Sequence, residues 1–504
     1  MSSAAKKLVL VVIDGMTPAA LTRTVDAGAA PTLARLMRDG YTSGECISSF
    51  PSLTPVATAT ITTGAGPSRH GVPSMHWYHR GEERYVDYGI SFPAARRSGL
   101  ITVLKDLVYR INQEHLSRDT PTFFERLEAA GVRAACTTYM IYRGPHEHQF
   151  IGGGLGGRLA GVTGMSRVGY GPSELIYGDI FDSQNSTCRS SFSVPGRRDR
   201  HSACAALQLI ANDAYDFMLL SLPDNDNYSH RIGPDAQPTS ISHADVQIQR
   251  VVDAYGGYRA FMRDHAVIVI SDHPQSQVND SLDLLGMLKA ADWAVIEPRQ
   301  SRRKARGAQL AVSPAARFGS VYVLDPEHRG RDLPLIVHDL RTQEKIDQVM
   351  WLNYNGAGRE AAVASGRDEL RFAPGDTYTD ARGLSWDVEG DLGVLGLSAA
   401  DGQIGSREFP DALGRAWSAL NCAGLGDVLT TPRPGYEFLD WGGVAHVGGG
   451  THGSLHASDS AAQLIVTGTG AAREHQTAWS IGDVYSLVLE HFGIDPSPSG
   501  ALEK

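Results

Sequence analysis

The sequence has no paired-cysteine motif. Its 504 residues include five cysteines, Cys46, Cys136, Cys188, Cys204 and Cys422, scattered, odd in number and without a C-x-x-C. That usage excludes a thiolate zinc site, argues against structural disulfides and predicts reduced, buried thiols. Long hydrophobic runs are also missing. No stretch reaches the ~18 apolar residues that a membrane-spanning helix needs. The opening "MSSAAKKLVLVVIDG" has no leader pattern, because its apolar run stops at Asp14. Nor is there a basic excess: 46 lysines and arginines face 56 acids, a net charge of -10. This balance argues against a general nucleic-acid coat or a membrane-surface protein, but allows a small anionic substrate at a local cation site. Together these absences predict a soluble cytoplasmic protein with no membrane partner.

The chain does contain an alternation of buried strands and helices. Continuous apolar runs occur at "LVLVVID" (Leu8 to Asp14), "DFMLLSL" (Asp216 to Leu222), "AVIVIS" (Ala266 to Ser271) and "AQLIVTG" (Ala462 to Gly468). Such runs suit a parallel sheet covered on both faces. Helical patterns lie between them, several stopped by glycine, which gives an α/β fold. Two regions break the rhythm. Residues 144–203 are rich in Gly, Ser and Arg, with "IGGGLGGRLAG" as the extreme, and read as a functional loop or lid. Residues 298–436 carry short strand-like pieces and read as an inserted α+β subdomain, leaving 1–297 and 437–504 as the core.

Carboxylates and histidines follow the buried runs. Asp14 ends the first, where ligands bind in open α/β sheets. In "LPDNDNYSHRIGPD", Asp226 and His230 are four apart, on one face of a helical turn, with Asp224 as a less well spaced candidate. "SDHPQ" places Asp272 and His273 at another strand end, and "GGGTHGSLHASD" offers His452, with His456 a weaker choice. Asp14, Asp226, His230, Asp272, His273 and His452 together suit two divalent metals with three protein ligands each. Nitrogen and oxygen donors without thiolate favour Zn²⁺, with Mn²⁺ or Fe as alternatives. Paired metals of this kind serve in-line phosphoryl displacement. The nucleophile is expected in "SSFPSLTPVATATITTG". Thr54 before Pro55 has the signature of a helix N-cap, and a helix N-terminus is also an anion site. Thr54 is therefore expected to be cap, nucleophile and metal contact at once.

The chain resembles the type I phosphodiesterase/nucleotide pyrophosphatase branch of the alkaline phosphatase superfamily. The resemblance rests on "VVIDG", "FPSLTPVATATITTG", "SRHGV", "PDNDNYSHRIGP", "SDH" and "GGTHGSLH", in that order. It implies an alkaline-phosphatase-like, doubly wound, mostly parallel sheet with helices on both faces. It implies one metal on Asp226, His230 and His452, another on Asp14, Asp272 and His273, and Thr54 near both. It also implies a phospho-threonine intermediate and a small phosphorylated substrate, a nucleotide among the candidates. A phosphodiester or nucleotide pyrophosphate comes first. A phosphomonoester, a phosphonate or a non-catalytic metal-bound binding protein are the alternatives.

Three positions depart from the family pattern. Ala57 stands where a phosphate-binding Asn is usual, Pro274 where a Gly follows Ser-Asp-His, and an Asn is missing from "HGVPSMHWYHR". Arg143 in "YRGPHEH" is the expected replacement contact, a planar fork suited to phosphate, with His146 and then His148 beside it. Met75, Trp77 and Tyr78 are candidates for a pocket wall.

Overall fold

Side chains along the strand Lys7–Ile13 alternate between two separate cores. Leu8, Leu10 and Val12 enter one, and Val9, Val11 and Ile13 the other. A strand buried on both faces must be apolar at every position, so "LVLVVI" shows no alternation in sequence. In a computed structural model that describes residues 5–151, 168–178, 180–188, 198–298, 307–355, 358–469, 476 and 478–497, this strand is central to a large sheet. The strand order is Trp479–Ser480, Tyr41–Ile47, Ala461–Thr467, His265–Ile270, Lys7–Ile13, Phe217–Leu222, Ala134–Thr137, Glu174–Tyr177 and Phe181–Asp182. From His265–Ile270 through Glu174–Tyr177 the strands are parallel. The apolar run Ala461–Thr467 is antiparallel to both its neighbours, although its composition matches the parallel strands. Burial on two faces sets composition; strand direction does not.

Helices cover both faces, making the fold α/β. Thr54–Thr63, Phe123–Ala129 and Asp483–His491 pack on one side. Pro18–Asp26, Pro31–Asp39, Arg198–Ala211 and Gln237–Ala254 pack on the other.

The two irregular regions contain more order than their composition suggested. Within 144–203, His146–Gln149 pairs with Val168–Gly171, while Glu174–Tyr177 and Phe181–Asp182 extend the central sheet. The "GGGLGGRLAG" stretch lies outside the described residues. The later region builds one largely antiparallel sheet, from the hairpin Leu310–Ala315/Phe318–Val323 at one edge to Ser398–Ala400 at the other. Its strands reach 12 residues, at Asp368–Thr379. They are longer than the short pieces expected, because Gly and Pro inside that strand are absorbed by an irregular register against Ser385–Gly390.

One expectation about cysteine is overturned. Cys188 and Cys204 form a disulfide across 16 residues, with Cα atoms 5.8 Å apart. Cys46, Cys136 and Cys422 are free and buried. The pairing is long-range in sequence, so the absence of a short Cys-x-x-Cys spacing does not exclude it. Thiol titration of the unfolded, unreduced protein should count three free thiols, rising to five after reduction. Five before reduction would remove the bridge.

Candidate functional site

Three adjacent parallel strands deliver their C-terminal ends to one edge of the sheet, the usual place for a ligand in such folds. Asp14 follows Lys7–Ile13, and Asp272 and His273 follow His265–Ile270. Asp226 and His230 sit on the helix Asp224–Ile232, which starts directly after Phe217–Leu222. The chain between Asp14 and this helix must pass closely. Gly15 has φ 67°, and a Cβ there would lie 3.0 Å from Asp226 Oδ1. His452 arrives from the glycine run, where a Cβ at Gly449 would collide with the His230 carbonyl.

These six side chains, with Thr54, converge. His230 Nε2 is 3.4 Å from Asp226 Oδ2, and His452 Nε2 is 3.7 Å from Asp226 Oδ1. His273 Nε2 lies 3.3 Å from Asp272 Oδ2, 3.7 Å from Asp14 Oδ1 and 3.2 Å from Thr54 Oγ1. Asp226 belongs to two compact donor groups, one with His230 and His452, the other with Asp14 and His273.

All three imidazoles are set in the same tautomer. Nδ1–H of His230 donates to the Gly450 carbonyl at 2.7 Å, that of His452 to Ser52 at 2.7 Å, and that of His273 to Pro274 at 3.2 Å. Each Nε2 lone pair is therefore turned into the cluster, as a metal ligand requires.

The carboxylates also suit a cation. Asp14 Oδ1 and Asp272 Oδ2 are buried without a hydrogen-bond partner. Burial, with the charges of Asp272 and Asp226 adding to it, holds the Asp14 carboxyl well above the usual range. Burial also pushes Asp272 up to about 7 and lowers His230, His273 and His452 to about 4 each, leaving the imidazoles neutral at pH 7. Buried carboxylates crowded together with neutral imidazoles are the donor set of a divalent metal, and one or two such ions would satisfy the orphaned oxygens.

Thr54 is placed differently from a cap. The helix spans Thr54–Thr63 with Leu53 as its cap residue, and Thr54 occupies the first turn with no capping bond from its side chain. The Leu53 carbonyl accepts from both Val56 and Ala57 N–H at 2.9 Å, so those amides are not free for an anion. The Thr54 hydroxyl instead donates to His273 Nε2. Ala57 is fully buried in the core, whereas Thr58 lines the cavity beside the cluster. In this chain position 57 does not face the site.

The expected substrate contacts lie elsewhere. All five N–H groups of the buried Arg143 guanidinium are used: Nε and Nη2 on Glu125, Nη1 on the Leu116 and Ser117 carbonyls, and Nη2 also on Thr120. His146 pairs with Glu128 at 3.2 Å, and His148 Nε2–H donates to the Pro172 carbonyl. Trp77 is buried, its Nε1–H donating to Tyr88 Oη at 3.2 Å, and Tyr78 packs against Tyr85 and Tyr322. None of these lines the cavity; Met75 and Tyr88 do. Asp224 faces Arg198 and Asp199, and His456 accepts from Ser458 N–H at the start of its own short helix.

The cavity beside the cluster has a volume of about 480 Å³, and the sequence reading missed several of its polar residues: Arg198, Asn227, Arg231, Glu437 and His446. Asn227 and Arg231 were readable, since they repeat the four-residue spacing of Asp226 and His230 one position later. His446 stacks on His230 at 4.1 Å between ring centres. Burial lowers the His446 imidazole, but the hydrogen bond and charge of Glu437 outweigh this and raise it. Arg198 carries no local signal; only the tertiary fold brings it to Asp224.

Two substitutions test this arrangement. Arg143→Ala leaves Glu125 facing an emptied site and should destabilise the fold by about 3–5 kcal/mol, measured by denaturant unfolding. A raised KM at unchanged stability would instead return Arg143 to the substrate. His452→Ala should lower bound metal by about one equivalent, while His456→Ala leaves it unchanged, measured by elemental analysis. The reverse result would exchange the two histidines.

Comparison with known proteins agrees with this architecture. No curated protein matches the chain in sequence. Its fold is similar to phosphonoacetate hydrolase from Sinorhizobium meliloti 1021 solved with phosphonoformate, at 16% identity and a TM-score of 0.55, covering 96% of each chain. It is equally similar to the same enzyme solved with phosphonoacetate, at 16% identity, a TM-score of 0.54 and 96% coverage of each chain. The type I phosphodiesterase / nucleotide pyrophosphatase family model matches residues 8–355, and the chain belongs to that family.

Proposed function

We propose that the protein is a two-metal hydrolase of phosphate esters that works through a phospho-threonine on Thr54. The observation that carries this reading is the position of Thr54 Oγ1. It is held 3.2 Å from His273 Nε2, at the first turn of a buried helix, on the wall of the cavity that the carboxylate–histidine cluster opens into.

In this reading His230, His452 and Asp226 hold one cation, and Asp14, Asp272 and His273 hold the other. Zn²⁺ suits neutral imidazole with carboxylate. Bound there, the two ions would lower the pKa of the Thr54 hydroxyl and stabilise negative charge on the phosphoryl and leaving oxygens.

The protein's own residues do the rest. Among the described residues Val56 and Ala57 donate to Leu53 and Pro55 has no N–H, which leaves the amide of Thr54 as the donor at the helix end for a phosphoryl oxygen. Thr54 Oγ gives up its proton to solvent and forms a bond to phosphorus as the bond to the leaving oxygen breaks, and that oxygen takes up a proton from water. Water then displaces Thr54 Oγ from phosphorus, releasing phosphate or a phosphomonoester. Met75, Tyr88 and Leu107 supply an apolar wall to the cavity.

The substrate class read first is a phosphodiester or nucleotide pyrophosphate, on the family's description. A phosphonate is the second reading, favoured by the similarity in fold to a phosphonate hydrolase. Among the described residues no helix is long and apolar enough to cross a membrane. The Cys188–Cys204 bridge weighs against the reduced thiols that cysteine usage predicted and against the cytoplasmic location expected from the sequence.

Hydrolysis of bis-p-nitrophenyl phosphate and p-nitrophenyl phosphate by the zinc-loaded protein tests the proposal. Thr54→Ala should lower turnover by on the order of 10³-fold or more, as loss of a covalent nucleophile does. Unchanged turnover in that variant would sink the nucleophile. A metal-loaded wild type inert toward every phosphate ester would favour the binding-protein alternative.

A further inference from the structure

The helix Asp224–Ile232 presents two parallel rows to the cavity. Asp226 and His230 form one, in the candidate metal cluster; Asn227 and Arg231 form the other, one residue further along. Asn227 and His230 are three apart, which makes the rows neighbours at ~5–6 Å on the helix surface.

Arg198 sits against the start of the second row. Its Nε donates to Asp224 Oδ1 at 3.3 Å and its Nη2 to the Pro223 carbonyl at 3.2 Å. With the Asn227 amide oxygen turned toward the guanidinium, both Nη1, at 3.3 Å, and Nη2 donate to it. The backbone beneath is clamped: Asp199 N–H donates to Asp224 Oδ2 at 3.0 Å, and Asp224 N–H to Asp199 Oδ1 at 2.9 Å. The disulfide to Cys204 ties down the same helix six residues later. A guanidinium held this way has its plane fixed and little left to lose in rotamer entropy on binding.

Arg231 completes the row. It is exposed and has no carboxylate partner among the described residues. Arg198 and Arg231 are the only guanidinium or ammonium groups among the described residues that line the cavity. Of the acids lining the cavity outside the cluster, Glu437 is engaged with His446 and Thr451, and Asp440 with Ser91 and the Gly442 and Val444 amides. Arg231 is thus unpaired beside the cluster, while Arg198, ion-paired with Asp224, still lines the cavity with its side chain 23% exposed.

We propose that Arg198 and Arg231 bind a second anionic group carried by the substrate a few ångströms from its reacting phosphoryl. The substrate is then a compact anion with a second charged head beside its phosphoryl group, rather than a phosphoryl group on a neutral alcohol. This rests on the phosphoryl reading of the metal cluster given above.

Calorimetry on the zinc-loaded protein separates the two ideas. Methylphosphonate carries one anionic head and phosphonoformate two. The second head should tighten binding by about tenfold or more, the scale of a charge-assisted contact. In the Arg198→Ala/Arg231→Ala double variant, the two probes should bind within threefold of each other, with methylphosphonate affinity unchanged. Arg231→Gln, on an exposed side chain, should remove part of the advantage and serves if the double variant does not fold. Equal affinities in the wild type would overturn the inference while leaving the phosphoryl reading in place. An advantage that persists in both variants would assign it to chelation by the metals and overturn it too. Failure of methylphosphonate itself to bind would remove the phosphoryl reading, and the subsite with it.

Discussion

Crowded buried carboxylates are the constraint around which this molecule is built. Asp14, Asp226 and Asp272 are brought to one sheet edge by three neighbouring parallel strands, and no lysine or arginine forms an ion pair with any of them among the described residues. Such a cluster must take up protons or a cation, and the neutral imidazoles beside it suit the cation. The surrounding details follow. Three histidines turn their Nδ1–H groups outward to backbone carbonyls, so every remaining lone pair points at the carboxylates. Glycines at 15 and 449 remove the Cβ atoms that would hold the segments apart. The threonine in the first turn of its helix, one residue past the cap, turns its hydroxyl to join the group.

Much of this could be read in the sequence because it is local. A strand buried on both faces writes itself as an unbroken apolar run, and the residue that ends the run marks the ligand edge. The four-residue spacing of Asp226 and His230 marks a shared helix face, and the order of the acid and histidine motifs along the chain points to the family. What stayed hidden depends on distant pairing. Cys188 meets Cys204 only through the fold, Arg143 finds Glu125 and three carbonyls only after its loop closes, and Arg198 reaches Asp224 across 26 residues. The orientation of Ala57 was illegible for a related reason. A helix sunk in the core on nearly all sides has no polar face to fix its rotation, so which of positions 57 and 58 meets the cavity is decided by packing.

The contrast between Arg143 and Arg198 shows what distinguishes a structural arginine from one that can read a ligand. Both are planar forks near acidic partners. Arg143 spends every N–H inside the protein and is sealed from solvent. Arg198 is held by a few contacts at the edge of a cavity, its side chain 23% exposed. Saturation and burial, more than residue type, separate the two roles.

Arg317 ties the two sheets together at the site. It stands at the turn of the hairpin Leu310–Ala315/Phe318–Val323, in the second sheet, yet its backbone N–H donates to the His452 carbonyl at 2.9 Å. Its fully buried guanidinium meets Asp459 at 2.7 Å, and Asp459 also accepts from the Ser454 amide at 3.1 Å. The loop that carries His452 is thus framed by both sheets at once. The second sheet therefore takes part in placing a histidine of the candidate metal site through its Leu310–Ala315/Phe318–Val323 edge, while Ser398–Ala400 stands at the opposite end of its strand order.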